Sequence, residues 1–370
     1  MARFYPLETV RIRKTTRQAV EVTLRPLGGG DFTFVQGQYL TFRREFDGIE
    51  VRRSYSICAG RDEGALRVGI KRVEGGVFST WAFEELAEGA IIEAMEPAGG
   101  FDSPLEDEGG DQDRGQAQAH RGHRYLAFAA GSGITPLLSI VKTRLAAQAG
   151  SSFTLIYANR HLDTVMFKEE LDDLKNLHLA RLNIVHILKD AEEDALLCRG
   201  RIDAEKCDLI FDRLIDPESL TRIYLCGPEA LMDLVAERLS DRCVDRHRIR
   251  RERFVAGTAP RIPRPAPTSA QASIEDSASE VQVSLTLDGI VRDFEIKKGQ
   301  TLLDAALERG LDMPYACRAG VCSTCKCRLV EGEARMRVNH ALEDYEVEQG
   351  YVLACQTIPL SERLAVVCES

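Results

Sequence analysis

The sequence predicts a multidomain protein: an antiparallel β-barrel, an α/β domain built on a parallel sheet, and a small α+β module. Three observations carry that prediction. Residues 1–101 alternate apolar and polar side chains over short runs broken by Gly and Asp, as in Leu27-Gly-Gly-Gly-Asp31. Residues 124–255 alternate short apolar runs with helical stripes. Residues 280–370 surround a cysteine loop, Cys317-Arg-Ala-Gly-Val-Cys322-Ser-Thr-Cys325, with strand-like segments.

In the first module, period-two runs at 20–25, 38–43, 51–58, 66–72 and 91–95 read as strands at the spacing of a small barrel, with a helix expected over 80–86. From 102 to 123 apolar residues almost vanish, which predicts a flexible surface insertion. The period then changes. Strands are expected at 125–130, 153–158, 181–188 and 223–226, with helices at 137–148, 167–174 and 229–239 between or after them. Strands alternating with helices predict a parallel sheet covered on both faces. Residues 256–279 carry Pro260, Pro263, Pro265 and Pro267 among Ala, Ser and Thr, a linker composition. As a flexible coil it spans roughly 25–30 Å. The last module opens with strands at 281–287 and 292–296 and a helix at 301–309, ahead of the cysteine loop.

The whole chain of 370 residues is long enough for several cores. It has no apolar run that would span a bilayer, and its first residues lack the pattern of a secretion signal. Eleven cysteines in such a chain argue for reduced thiols rather than a disulfide framework, and so for a cytoplasmic protein. A net charge of −10 disfavours nucleic acid and anionic membrane as partners.

The cysteine loop is the most specific motif. C-x4-C-x2-C with Cys355 after a further twenty-nine residues is the plant-type spacing for a [2Fe-2S] cluster held by Cys317, Cys322, Cys325 and Cys355. Four thiolates could also hold zinc, which this spacing suits poorly. Gly320 permits close backbone approach. Cys327 is expected to be a bystander, and Cys58, Cys198, Cys207, Cys243 and Cys368 small hydrophobes.

Arg53-Ser54-Tyr55-Ser56 lies on a predicted barrel strand, and Gly75-Gly76-Val77-Phe-Ser79 opens a helix further on. A cation, an aromatic ring and a helix N-terminus suit a flavin nucleotide, with backbone N–H groups on the pyrophosphate. Gly131-Ser-Gly133-Ile-Thr135-Pro136 ends the first parallel strand; Pro136 at the start of a helix leaves the preceding N–H groups free for phosphate. It departs from G-x-G-x-x-G at the sixth position. Cys226-Gly227-Pro228 repeats the strand-Gly-Pro device, so the two loops could face one ligand at the carboxyl edge of the sheet.

Taken in order, these motifs resemble the ferredoxin–NADP reductase superfamily fused to a C-terminal ferredoxin, and among its members most resemble the reductases of the phenylacetyl-CoA epoxidase group. The resemblance implies an FAD-binding barrel (1–101), a nucleotide domain (124–255) and a β-grasp ferredoxin domain (280–370). It implies flavin contacts at Arg53, Ser54, Tyr55, Ser56, Gly75, Gly76, Val77 and Ser79. Nucleotide contacts are implied at Gly131, Gly133, Thr135, Pro136, Cys226, Gly227 and Pro228. Ser56, Cys226, Glu252 and Phe254 would surround the hydride transfer, with Phe254 over the flavin ring. At the end of the second sheet strand Arg160 and His161 favour the 2′-phosphate of NADPH, with Asp163 an objection and NADH an alternative.

The expected activity is electron transfer from NADPH through FAD and a [2Fe-2S] cluster to a separate oxygenase component. From Glu280 onward there are ten basic and fifteen acidic side chains, a net of −5 that would steer the module to a basic partner. The alternatives are a reductase for a Rieske, steroid or fatty-acid hydroxylase or for a hybrid-cluster protein, and a non-enzymatic iron-sulfur redox sensor.

Overall fold

The computed structural model describes residues 2–102, 122–190, 197–254, 281–297 and 299–368. The expected linker at 256–279 and all but the ends of the expected insertion at 102–123 lie outside them.

The first module is a six-stranded antiparallel sheet. Its strands are β1 (Tyr5–Thr16), β2 (Ala19–Pro26), β3 (Tyr39–Phe46), β4 (Ile49–Ser56), β5 (Leu66–Lys71) and β6 (Ile91–Ala94), in the order β4-β3-β6-β1-β2-β5. An antiparallel bridge between Ile57 and Val68 joins its two edges and closes the barrel. Alternation puts Leu7, Val20, Val22, Leu40, Phe42 and Val68 inside. Helix α1 (Val77–Glu84) caps the barrel with Phe78 and Trp81. It begins three residues earlier than expected, because Gly76 at its N-cap ends the preceding turn.

The second module is a five-stranded parallel sheet, β7 (Arg124–Ala130), β8 (Ser152–Asn159), β9 (Leu182–Leu188), β10 (Arg222–Cys226) and β11 (Ile249–Glu252), in the order β11-β10-β7-β8-β9. Helices α2 (Ile134–Ala147), α3 (Lys168–Leu177), α4 (Ala204–Arg213) and α5 (Glu229–Ser240) complete it. Two apolar clusters, one built around Leu137, Tyr157 and Phe167 and the other around Phe128, Phe211 and Val235, cover the two faces. The chain adds β8 and β9 on one side of β7, then β10 and β11 on the other. The switch point therefore lies between β7 and β10, where open α/β sheets bind ligands.

The third module is a mixed sheet, β13-β12-β18-β14-β16, with a small β15-β17 ladder. Its strands are β12 (Val281–Leu287), β13 (Ile290–Ile296), β14 (Lys326–Glu331), β15 (Ala334–Met336), β16 (Tyr351–Leu353), β17 (Thr357–Pro359) and β18 (Arg363–Cys368). Helix α6 (Leu302–Glu308) packs Leu302, Leu303, Ala305 and Ala306 into its core, and α7 (Asp344–Glu348) is short. No helix among the described residues is long and apolar enough to cross a membrane.

Barrel and parallel sheet are joined by ion pairs. Glu170 of α3 meets Arg67 of β5 at 3.0 Å, Arg13 of β1 at 3.3 Å, and Lys142 of α2. Asp102 departs from the sequence reading. Composition places it at the start of a surface insertion, yet its side chain is fully buried. It accepts from Arg144 (2.9 and 3.0 Å), Arg222 (2.9 Å), the Tyr224 hydroxyl (2.5 Å) and Gln36 of the barrel (2.8 Å). Two buried guanidiniums need a carboxylate, and Asp102 is the residue that meets them both. Asp102→Ala should lower stability by about 3–5 kcal/mol, as expected when one partner of a buried ion pair is removed. A chemical denaturation curve checks it; an unchanged midpoint would show the network to be dispensable.

Candidate functional site

Cys317, Cys322 and Cys325 come from the loop before β14, and Cys355 from the turn after β16. Cys317 and Cys322 sulfurs lie 3.1 Å apart. Cys355 is within hydrogen-bonding reach of both Cys317 and Cys325, so the four thiols form one connected group. Among the described residues no three ligating side chains close round one point as a single ion would require. Hydrogen bonds from the Cys322 and Cys355 thiols, and from the Ala319 and Val321 N–H groups, hold the Cys317 thiol far below the usual thiol range. The bond to Cys317 and then burial push the Cys322 thiol up, and the bonds to Cys317 and Cys325 and then burial push up Cys355. Gly320 has φ 73°, and a Cβ there would stand 2.7 Å from the Val338 carbonyl and 3.0 Å from Gln356. Four converging, largely buried thiols with backbone donors fit a cluster held by thiolates.

Three of the other cysteines correct the sequence reading. Cys327 and Cys368 form a disulfide, with Cα atoms 4.4 Å apart. The antiparallel pairing of Arg328 with Val367 sets Cys327 beside Cys368 across β14 and β18. Cys243 is exposed rather than packed.

Arg53, Ser54, Tyr55 and Ser56 end β4 as expected. Directly opposite residues share a face of the sheet. Register therefore puts Ser56, Ser54 and Arg52 on the face of Tyr39, Thr41 and Arg43, and puts Arg53 and Tyr55 with Phe42 and Leu40. The Tyr55 ring lies 5.7 Å from Phe78 of α1 and 6.2 Å from Phe42. Gly75 has φ 72°, and a Cβ on Gly76 would stand 2.6 Å from the Ser79 oxygen. Ser79 accepts from the Val73 N–H and donates to the Gly76 carbonyl, so its hydroxyl braces the turn. Val77, the first residue of α1, is half exposed.

The two loops of the parallel sheet meet. A Cβ on Gly133 would stand 2.1 Å from the Cys226 carbonyl oxygen, and one on Gly227 would be 3.0 Å from Ala130. Only glycine lets these backbones touch. Tyr157 donates to the Gly131 carbonyl at 2.9 Å, and Thr135 to the Ser132 carbonyl at 3.0 Å; Pro136 sits in the first turn of α2 and Pro228 caps α5. Cys226 and Glu252 are paired in register on β10 and β11. Burial pushes the Glu252 carboxyl up to about 8, opposed by a hydrogen bond with Ser56. Burial and then the nearby Glu252 charge raise the Cys226 thiol. Ser56, Cys226 and Glu252 thus come together from three strands and two modules. Glu252 Oε2 is buried without a protein partner, an atom left for a ligand hydrogen bond. Phe254 follows β11 and is 38% exposed.

At the end of β8, Arg160 and His161 both approach Asp190, at 3.3 and 3.5 Å, and Asp163 lies 4.0 Å from Arg17. One residue the motifs do not include is Lys71. A Cβ on Gly131 would stand 3.3 Å from its Nζ, which places a half-buried cation against the phosphate-type loop. Gly69 makes that approach possible, since a Cβ there would stand 2.6 Å from Thr135 and 2.9 Å from Phe167. The lysine stands close to Gly69 in the sequence, but only the packing of β5 on α2 gives it a target.

Residues 26–102 match the oxidoreductase FAD-binding domain family, 128–237 the oxidoreductase NAD-binding domain family, and 285–360 the 2Fe-2S iron-sulfur cluster binding domain family. The chain is 38% identical to a component of the 1,2-phenylacetyl-CoA epoxidase of Escherichia coli K12, over 99% of this chain and 98% of the relative. It belongs to the ferredoxin–NADP reductase superfamily, in the group with a C-terminal [2Fe-2S] ferredoxin domain. A second relative, the ferredoxin reductase component of 3-ketosteroid-9-alpha-monooxygenase from Rhodococcus rhodochrous, is 33% identical over 90% of this chain and 88% of its own. Phthalate dioxygenase reductase shares the fold, with a TM-score of 0.57 at 23% identity, covering 99% of this chain and 98% of that one. An intact type IV self-sufficient cytochrome P450 monooxygenase gives a TM-score of 0.68 at 22% identity, over 98% of this chain and 41% of the other. The reductase is an NAD(P)H-dependent flavin and iron-sulfur oxidoreductase that passes electrons to an oxygenase component or other electron acceptor.

Cys327→Ser should keep the visible cluster spectrum, because its sulfur pairs with Cys368 and ligates nothing. It should also lower stability by roughly 4 kcal/mol, the loop-entropy value for a bridge of this span. Absorbance and a denaturation curve check both; a colourless variant would make Cys327 part of the cluster site.

Proposed function

We propose that this chain is the reductase component of a phenylacetyl-CoA epoxidase-type diiron oxygenase system and draws its electrons from NADPH. The 38% identity over 99% of the chain carries the choice of system, since the likeness runs through all three domains. Arg160 and His161 at the end of β8 support NADPH, and their shared partner Asp190 tempers their charge. Supplied with the oxygenase component and phenylacetyl-CoA, the chain should sustain turnover with NADPH and more slowly with NADH. Turnover with a ketosteroid oxygenase alone would contradict the assignment.

A flavin held at the barrel motif would supply hydride acceptance and one-electron release, and a cluster held by Cys317, Cys322, Cys325 and Cys355 would supply one-electron carriage. The residues have separable tasks. Arg53 supplies a cation for the flavin phosphate. Gly75, Gly76 and the N–H groups of Val77 to Ser79 form an anion cradle at the start of α1. Gly131, Gly133, Thr135 and Pro136, with Lys71 beside them, hold the nucleotide pyrophosphate. Cys226, Gly227 and Pro228 position the nicotinamide by shape rather than by charge, because the Cys226 thiol stays protonated. Phe254, which follows β11 and is partly exposed, would supply the ring that packs on the flavin.

Glu252 keeps a proton on its carboxyl at neutral pH, accepts from the Ser56 hydroxyl and offers the carboxyl proton to the ligand. Its folded pKa of about 8 lies above the unfolded value of about 4.3, so it contributes stability that is full below the lower value. That contribution is lost as pH rises through about 8. Nucleotide-driven flavin bleaching in the parent should slow over the same rise. Glu252→Gln, a neutral isostere, should give a flat profile in stopped-flow absorbance; matching profiles would take Glu252 out of the hydride site.

A further inference from the structure

We infer that Arg52 and Tyr39 are positioning residues that dock the cluster loop onto the flavin-binding strands and so set the rate of electron passage between the two centres. The inference rests on the electron path described above, and neither residue belongs to a motif of the superfamily read from the sequence.

The pleat of β3 and β4 supplies the first observation. Arg52 and Arg53 are neighbours on β4, so their side chains leave opposite faces of the sheet. Arg53 goes with the flavin motif; Arg52 goes with Tyr39, towards the third module. The Arg52 side chain is only 5% exposed, although it carries a permanent charge. It donates to Asp312 Oδ1 at 3.1 Å and to the Met313 carbonyl at 3.4 Å, and its guanidinium lies 4.2 Å from the Tyr315 ring centre. Glu50, at 2.7 Å, completes its neutralisation. Asp312, Met313 and Tyr315 are the residues that lead into Cys317. A guanidinium buried between two modules with a carboxylate, a carbonyl and a ring around it is a built contact.

Tyr39 supplies the second observation, at the other end of the loop. Its hydroxyl lies 3.3 Å from Ser323 Oγ and 3.0 Å from Thr324 Oγ1, the two residues between Cys322 and Cys325. Its ring shares an apolar cluster with Ala316 and Cys322. Tyr39 is also the residue paired with Ser56 across β3 and β4. The loop that carries three ligands is thus pinned before its first and between its last two, on the same strands that carry Arg53 to Ser56. A lone contact would leave the loop free to pivot; two contacts fix both distance and orientation, and electron passage depends on both.

The test uses the complete holoprotein with Arg52→Gln, Tyr39→Phe and the double substitution. Hydrogen exchange over residues 312–325 should rise in each. Cluster reduction after nucleotide-driven flavin reduction should slow about tenfold for Arg52→Gln, the factor for losing one charge-assisted hydrogen bond, and about fivefold for Tyr39→Phe. Arg52→Lys, which keeps the charge, should recover part of the loss. The rate of flavin reduction and the electron paramagnetic resonance spectrum of the reduced cluster should stay as in the parent. Unchanged exchange and cluster reduction in the double variant would overturn the inference. So would an altered cluster spectrum, since the two residues would then shape the cluster rather than its docking. Exchange needs no electron flow, so a parent chain whose cluster never follows its flavin would overturn the electron path alone.

Discussion

The register of two antiparallel strands, β3 against β4, is the constraint on which the rest of the molecule depends. Tyr39 opposite Ser56 and Arg43 opposite Arg52 leave no freedom in which side chains share a face. A slip of one residue would send Ser56 away from Glu252 and Arg52 away from the cluster loop together. One pairing therefore decides two geometries on one face, the proposed hydride site at Ser56 and the contact with the third module at Arg52. The Thr41 and Ser54 hydroxyls, 3.0 Å apart on the shared face, tie the register midway along the pair.

A second register completes the site from the other module. Parallel pairing sets Cys226 between Ala129 and Glu252, at the carboxyl edge where the sheet changes direction. Glycine at 133 and 227 lets the two loops press together, and the ion pairs of Glu170 and Asp102 bind the sheet to the barrel around them. Burying Glu252 there costs free energy unless it stays neutral, and the raised pKa is the form that cost takes. On the reading proposed above, a protonated acid and a protonated thiol beside a serine would order a ligand without placing a charge against it.

Much of this is legible in the sequence, and the illegible parts have physical causes. The cluster loop, the two glycine loops and the arginine-to-serine motif announce themselves because their chemistry demands particular residues at short spacing. β1 is hidden because all but two of its residues are half-buried or exposed, so it lacks clean alternation. β11 is hidden because Ile-Arg-Arg-Glu reads as polar, although as an edge strand it needs little apolar surface. The Cys327–Cys368 bridge depends on the pairing of β14 with β18, across 41 residues of sequence, and composition alone argues against any bridge. Asp102, Lys71, Arg52 and Tyr39 owe their importance to partners in another module. No local pattern records such partners, and a polar stretch that begins with a buried aspartate reads like any surface loop.

The central claim is that nucleotide, flavin and cluster form one electron path within this chain. An anaerobic absorbance titration of the holoprotein with NADPH tests it most directly. The account predicts that the flavin bands bleach and that the cluster bands follow within the same chain, with no added partner. Flavin bleaching beside an unchanged cluster would contradict it, because the strands that hold the motif and the loop would then be joined without communicating.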